Sequence, residues 1–150
     1  MGFYSASFQG AAGSATLPFA GLRSGAAASN PVIREIKVFT TAANTARIRI
    51  VRITTAGTAT AITENEMNEG GPPPVATAVH TYTSTAPTIQ TGDVDIGAIG
   101  GAIGSGFHYT YYGEGKGLWI PGAASDANGI ALIEVADTTN TYDGTFIWEE

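Results

Sequence analysis

Residues 45–54 read TARIRIVRIT, and this stretch decides the fold class. Side chains of an extended chain point alternately to opposite faces, so Ala46, Ile48 and Ile50 share one face while Arg47 and Arg49 share the other. That alternation is the signature of a half-buried β-strand and not of a helix. Val51, Arg52 and Ile53 then reverse the phase, which predicts a bulge or a local twist. Arginines on the outer face of a sheet are ordinarily solvated. Their functional alternative is a basic stripe that docks on an acidic partner surface, which makes Arg47, Arg49 and Arg52 candidate interface residues.

Upstream, TTAAN (residues 40–44) separates this strand from VIREIKVF (32–39) and predicts that the two form an antiparallel pair. Similar runs of β-branched and aromatic residues, punctuated by Gly, Pro, Asn and Asp, predict strands near 3–9, 15–20, 76–83, 87–91, 106–112, 117–121, 130–136 and 143–149. No segment keeps helical apolar spacing over three turns. The longest irregular stretch, ENEMNEGGPPPV (64–75), cannot be a central strand because its prolines lack the amide donor. It reads as an extended, polyproline-like loop. Pro72, Pro73 and Pro74 join the candidate interface residues as a contact arm. The expected fold is all-β: one antiparallel β-sandwich, jelly-roll-like, spanning residues 1–150 with long Gly/Pro-rich loops.

The 150 residues suffice for one domain with a real core. Charged residues make up only 13%, about half the usual share, and Thr, Ala and Gly take their place. Such a surface suits either a Thr-rich sandwich or a protein that expects neighbours. The net charge of −6 is unevenly spread. Residues 1–60 carry Arg23, Arg34, Lys37, Arg47, Arg49 and Arg52 against Glu35 alone, whereas residues 61–150 carry Lys116 against twelve acids. The polarity could bring the basic strand of one copy onto acidic loops of another, unless folding mixes the two halves. So few cations, with no basic–aromatic interleaving, argue against nucleic acid as a partner. There is no cysteine, hence no disulfide, thiol nucleophile or Cys-based metal site. Apolar stretches fall far short of a membrane span, and MGFYSASFQG lacks the basic and apolar regions of a signal peptide. The expectation is a soluble chain made in the cytoplasm, without membrane association.

The segment GDVDIGAIGGAIGSG (92–106) holds six glycines and two aspartates and looks most like a ligand loop. It fails the templates. There is no G-x-G-x-x-G, no closing Gly-Lys-Ser/Thr and no helix to follow. An EF-hand needs glycine where Ala98 stands and an acid where Gly104 stands. The stretch therefore reads as a sinuous connection into strand 106–112, a contact loop and not a cradle. Glu64, Glu66 and Glu69 cluster in the Pro-rich loop, as solvated loop acids do. His80 and His108 share no metal-ligand spacing. With no nucleophile elbow either, catalysis and cofactors are not expected. Phe107, Tyr109 and Tyr111 alternate along one run; with Trp119 they suggest either core filling or a sugar-stacking platform.

The two ends carry a further signal. FYSASFQG (3–10) and GTFIWEE (144–150) resemble small structural proteins of tailed bacteriophages and prophages, which open on an aromatic-Ser-Ala-Ser-Phe-like strand and close on a G-T-aromatic/aliphatic-x-E-E strand. The Pro-rich loop and GFHYTYYGEGKGLWIPG (106–122) are similar in layout. What the resemblance implies is a β-sandwich virion protein on the capsid exterior. It would decorate or cement the shell by binding the major capsid protein and other copies of itself, a homo-oligomer with a trimer favoured. The family offers no catalytic residues. The alternatives are a phage tail, collar or fibre component, and a carbohydrate-binding β-sandwich.

Overall fold

The structure is a computed structural model that describes residues 2–25, 29–111, 117–123, 127–138 and 140–150. Its strands are β1 (Phe3–Ala12), β2 (Ala20–Arg23), β3 (Val32–Thr40), β4 (Ala46–Ile53), β5 (Ala59–Ala61), β6 (Asn65–Glu66), β7 (Thr77–Tyr82), β8 (Ile89–Ile99), β9 (Gly106–Thr110), β10 (Leu118–Trp119), β11 (Gly129–Glu134) and β12 (Thr141–Glu149). They form two antiparallel sheets packed face to face. Sheet I runs β10-β3-β12-β1-β6, with β9 also on the outer edge of β3, and sheet II runs β5-β7-β2-β11-β4-β8.

The central arrays are β9-β3-β12-β1 and β2-β11-β4-β8. Successive main strands alternate between the sheets except for β4 and β8, which are neighbours in sheet II, and this is jelly-roll connectivity. This corrects one expectation. Strands β3 and β4 do not pair: the turn between them crosses from sheet I to sheet II, where β4 pairs with β11 and β8. A five-residue link has the right length for a hairpin or for an arch over the edge of a sandwich. The partners available to each strand decide between them.

Alternation then builds the interior. From β1 come Tyr4, Ala6 and Phe8, from β12 Tyr142, Phe146 and Trp148, and from β4 Ala46, Ile48 and Ile50, all buried in one cluster. The rings stack in pairs across it: Phe19 on Tyr142 at 4.5 Å between centroids, and Tyr4 on Trp148 at 5.7 Å. Each fully buried large side chain contributes about 1.5–3 kcal/mol of apolar transfer energy, so these six aromatic residues with the β4 aliphatics dominate the stability. Strand β12 carries Gly144 between Tyr142 and Phe146. A Cβ there would lie 2.4 Å from the Phe8 ring and from the Lys37 carbonyl, so the missing side chain is what admits Phe8.

Other expectations shift in detail. Residues 15–19 are not strand, because the Ser14 hydroxyl accepts from Thr16 N (3.1 Å) and Asp137 accepts from Ala15 N (2.6 Å). Side chains thus take the backbone donors that a ladder would need. The Pro-rich loop does hold a strand, the two-residue β6, but at the edge of sheet I against β1 and ahead of the prolines. In β4 the phase does not reverse: Val51 and Ile53 stay on the Arg47–Arg49 face, where they form a second small cluster with Ala131, Ile133 and Ile89. The expected irregularity exists but sits in the partner, since β8 holds extra residues opposite Ile50–Ile53. Much of the glycine-rich stretch is therefore strand, with only residues 100–105 turning between β8 and β9.

Candidate interaction surface

The candidate residues do not form one patch. Arg47 is exposed on the outer face of sheet II, near the end where β4 begins. Arg49 shares that face but donates from Nε and Nη2 to Asp93 Oδ1 of β8, each at 2.7 Å. Arg52 turns to the opposite, inner side at the far end of the strand, where Nη1 donates to the Trp119 carbonyl at 2.8 Å. It thereby ties sheet II to β10 of sheet I. Among the described residues, the strand that promised a basic stripe thus offers one cation without a side-chain partner, Arg47.

Pro72 and Pro73 are exposed and Pro74 is half-buried. Their loop is strapped to the end of β12. The Glu150 carboxylate accepts from Val75 N at 2.6 Å, Ala76 N at 3.2 Å and Ser29 Oγ at 2.5 Å, and Tyr4 donates its hydroxyl to the Pro72 carbonyl at 2.7 Å. Burial, reinforced by the charges of Glu150 and Glu66, raises the Tyr4 pKa and keeps that donor protonated. The prolines are therefore a braced ridge beside a groove of about 460 Å³ lined by Tyr4, Ser29, Asn30, Pro72, Val75 and Glu150.

The acidic excess has a similar internal use. Glu64 accepts from Ala78 N, Asp137 from Ala15 N and Asp143 from Gly10 N, at 2.6–2.9 Å. A carboxylate can accept several hydrogen bonds and donate none, so it suits loops whose amides have no ladder partner. Folding also mixes the halves, through Arg49–Asp93 and Arg34–Glu149. Part of the charge asymmetry of the sequence is thus used inside the chain.

The aromatic run lies on the inner side. Phe107, Tyr109 and Tyr111 are half-buried against the core, with ring centroids 5.1 and 6.4 Å apart along β9. They close the open edge between β9 and β8. Tyr109 donates to the Ile96 carbonyl at 2.6 Å, and Gly97 lies so close to Phe107 that a Cβ would sit 2.4 Å from the ring. Burial, with Asp95 and Tyr109 as lesser causes, pushes the Tyr111 pKa up to about 12. Trp119 points elsewhere, with 57% of its surface exposed. The three tyrosine and tryptophan residues therefore form no common stacking platform.

The remaining candidates stay apart. His80 bonds Thr81 within sheet II and His108 bonds Glu35 at 2.8 Å on sheet I. Among the described residues no three His, Asp or Glu side chains gather in a way that could hold a metal ion, and no helix is long and apolar enough to cross a membrane. Sequence reading missed the apolar tip of the molecule. The turn 100–105 bonds back to β3, with Gly104 N to Thr40 O and Thr40 N to Ser105 O both at 2.8 Å. It holds Ile103, 72% exposed, near Phe39, 41% exposed. The isoleucine amid glycines was the available signal.

Compared with known protein families, characterised proteins and solved structures, the chain matches none. None of these comparisons links the chain to phage structural proteins.

Proposed function

We propose that the protein is a capsid decoration, or cement, protein of a tailed phage, which binds the major capsid protein shell from outside as a homo-oligomer, a trimer being the favoured form. The observation that carries this reading is the relation between the two ends. FYSASFQG and GTFIWEE fall on β1 and β12, which are hydrogen-bonded neighbours from Phe3↔Glu149 to Phe8↔Gly144. Segments far apart in sequence that resemble one family are thus one structural unit at the heart of sheet I.

Surface chemistry supports the same reading. The outer side of β1 and β12 offers Ser5, Ser7 and Thr145, with the Ser7 and Thr145 hydroxyls bonded at 2.9 Å, beside Ile147 and between Asp143 and Glu149. The Ile103–Phe39 tip supplies the apolar anchor that a low-charge contact needs. Repeated display on a shell lets modest single contacts add up to stable attachment. Jelly rolls serve as viral capsid and lectin domains, a likeness of architecture that leaves function to the surface.

Electron cryo-microscopy of particles from cells that make this protein tests the reading. The expected result is density for the sandwich at regular sites on the head, and heads that lose heat stability when the protein is deleted. Density confined to the tail, or heads equally heat-stable without it, would overturn the cement role. Within that reading, Ile103→Asp leaves the fold intact and weakens attachment at least about tenfold, as removal of an interface anchor does.

A further inference from the structure

At the end of the sandwich opposite Ile103, a groove of about 300 Å³ opens between the last residues of β4, the start of β8, β10 and the start of β11. Arg52, Ile53, Gln90, Trp119, Pro121 and Asn128 line it. Four separate segments contribute, so no sequence motif announces it.

The chemistry of the lining is specific. Trp119, the most exposed aromatic residue among those described at 57%, is one of the lining residues, and an aromatic ring offers an apolar face for stacking. Around it stand planar polar groups beside the apolar Ile53 and Pro121. The bond from Arg52 Nη1 to the Trp119 carbonyl fixes the guanidinium beside the ring-bearing residue and leaves its other N–H donors for a ligand. Asn128 Nδ2 donates to the Pro121 carbonyl at 3.1 Å, which orients the amide and leaves its oxygen as an acceptor. Gln90 adds a second carboxamide from β8. Ile53 and Pro121 supply apolar contact beside these polar groups. A ligand with one apolar ring face and a rim of hydroxyls finds a partner for each part.

We propose that this groove binds a saccharide, with one sugar ring stacked on Trp119 and its hydroxyls shared among Arg52, Asn128 and Gln90. The volume, at the lower end of the range for small-molecule sites, suits a mono- or disaccharide unit. The proposal does not depend on the capsid reading. On a particle surface it would add glycan adhesion to shell binding, and on an isolated protein it stands alone.

The test is NMR titration of the isotope-labelled full chain with neutral and acidic hexoses, N-acetylhexosamines, hexuronic acids and their short oligomers. The chain has two tryptophans, and Trp148 is fully buried, so its indole N–H serves as an internal reference. Expected is a saturable shift of the Trp119 indole signal with at least one sugar, at millimolar affinity, while the Trp148 signal stays in place. Trp119→Ala weakens that binding at least about tenfold and Arg52→Lys about fivefold, in line with lost stacking and a lost planar fork. An unmoved Trp148 signal in each variant shows that the fold is kept. No saturable shift with any sugar up to roughly 50 mM, a concentration well above the weakest useful affinity, would overturn the proposal. So would binding that survives Trp119→Ala, or an indole covered only when the protein joins its particle.

Discussion

Where β11 runs into β12, the carboxylate that closes the loop is fully buried; at the opposite end of the sandwich, Glu150 does comparable work from a half-exposed position. Glu134 accepts from the Tyr142 hydroxyl, from Thr138 Oγ1 at 2.6 Å and from Thr138 N at 3.1 Å. Glu150 accepts from Ser29 Oγ and from the amides of Val75 and Ala76. Both hold a loop onto the sandwich by satisfying its donors. They differ in what stands ready to replace them. If Glu150 is lost the exposed Val75 amide can turn to water, whereas the fully buried Tyr142 hydroxyl beside Glu134 would be stranded, so the same kind of contact weighs more on the fold at the Glu134 end.

Removing each carboxylate is the most direct way to break that contrast. Glu134→Ala strands the buried Tyr142 hydroxyl, also takes the partner from the half-buried Thr138, and should cost about 3 kcal/mol. For a chain of this size that is roughly 6–12 °C in melting temperature, read by calorimetry. A loss below about 1 kcal/mol would mean that water already reaches the site, and the distinction between the two ends would collapse.

Tyr142→Phe sharpens the comparison from the other partner. The ring stays stacked on Phe19 and the loss is the single hydrogen bond to Glu134, about 1.5 kcal/mol by denaturant unfolding. Its ionisation gives an independent signature. Burial first, and then the hydrogen bond and charge of Glu134, raise the Tyr142 pKa far above its ordinary 10.0. Tyr111 is raised to about 12, chiefly by burial. A phenol with a raised folded-state pKa contributes stability in full below pH about 10, and that contribution drains away as pH climbs towards 12 and beyond. Tyrosinate absorbance should therefore show these two rings titrating only as the protein unfolds at high pH. Normal titration of both near pH 10, with the fold intact, would contradict their placement.

Glu150→Ala is the milder counterpart. Its cost should be about 1 kcal/mol or less, since the Val75 amide meets water once released. The effect to look for is local: faster hydrogen exchange at Val75 and Ala76 and new protease cleavage within 70–76, with the melting temperature almost unchanged. A global loss as large as that of Glu134→Ala would show that the proline ridge is part of the folding core.

How much of this was legible depends on what each element draws on. The strand character of β4 is local information, written in the alternation of Ala46, Ile48 and Ile50, and it could be read directly. Its partners could not, because pairing in a jelly roll is a property of the whole chain and the link 41–45 suits either sheet. The sequence signals only the start of strand β8, because Gly92 and Gly97 have poor strand propensity; β4 and the Phe107 ring hold it extended from outside. Glu134 was within reach, since it keeps the parity of the inward Ile130 and Leu132 in IALIEV, a lone acid on a core face. The Trp119 groove was not, as its walls come from four segments whose meeting no spacing encodes.

Arg49 and Asp93 supply the reference against which both ends are measured. Their contact is a salt bridge between partly exposed side chains on the outer face of sheet II. Solvent screens such a pair and two long side chains lose freedom to form it, so a double-mutant cycle with Arg49→Ala and Asp93→Ala should return about 0.5 kcal/mol, less still at high salt. A coupling energy above about 1.5 kcal/mol would show that charge pairing on the open face stabilises the fold as strongly as the buried carboxylate does. In that event burial would no longer explain why Glu134 and Glu150 differ, and the geometry of each hydrogen bond would have to carry the difference instead.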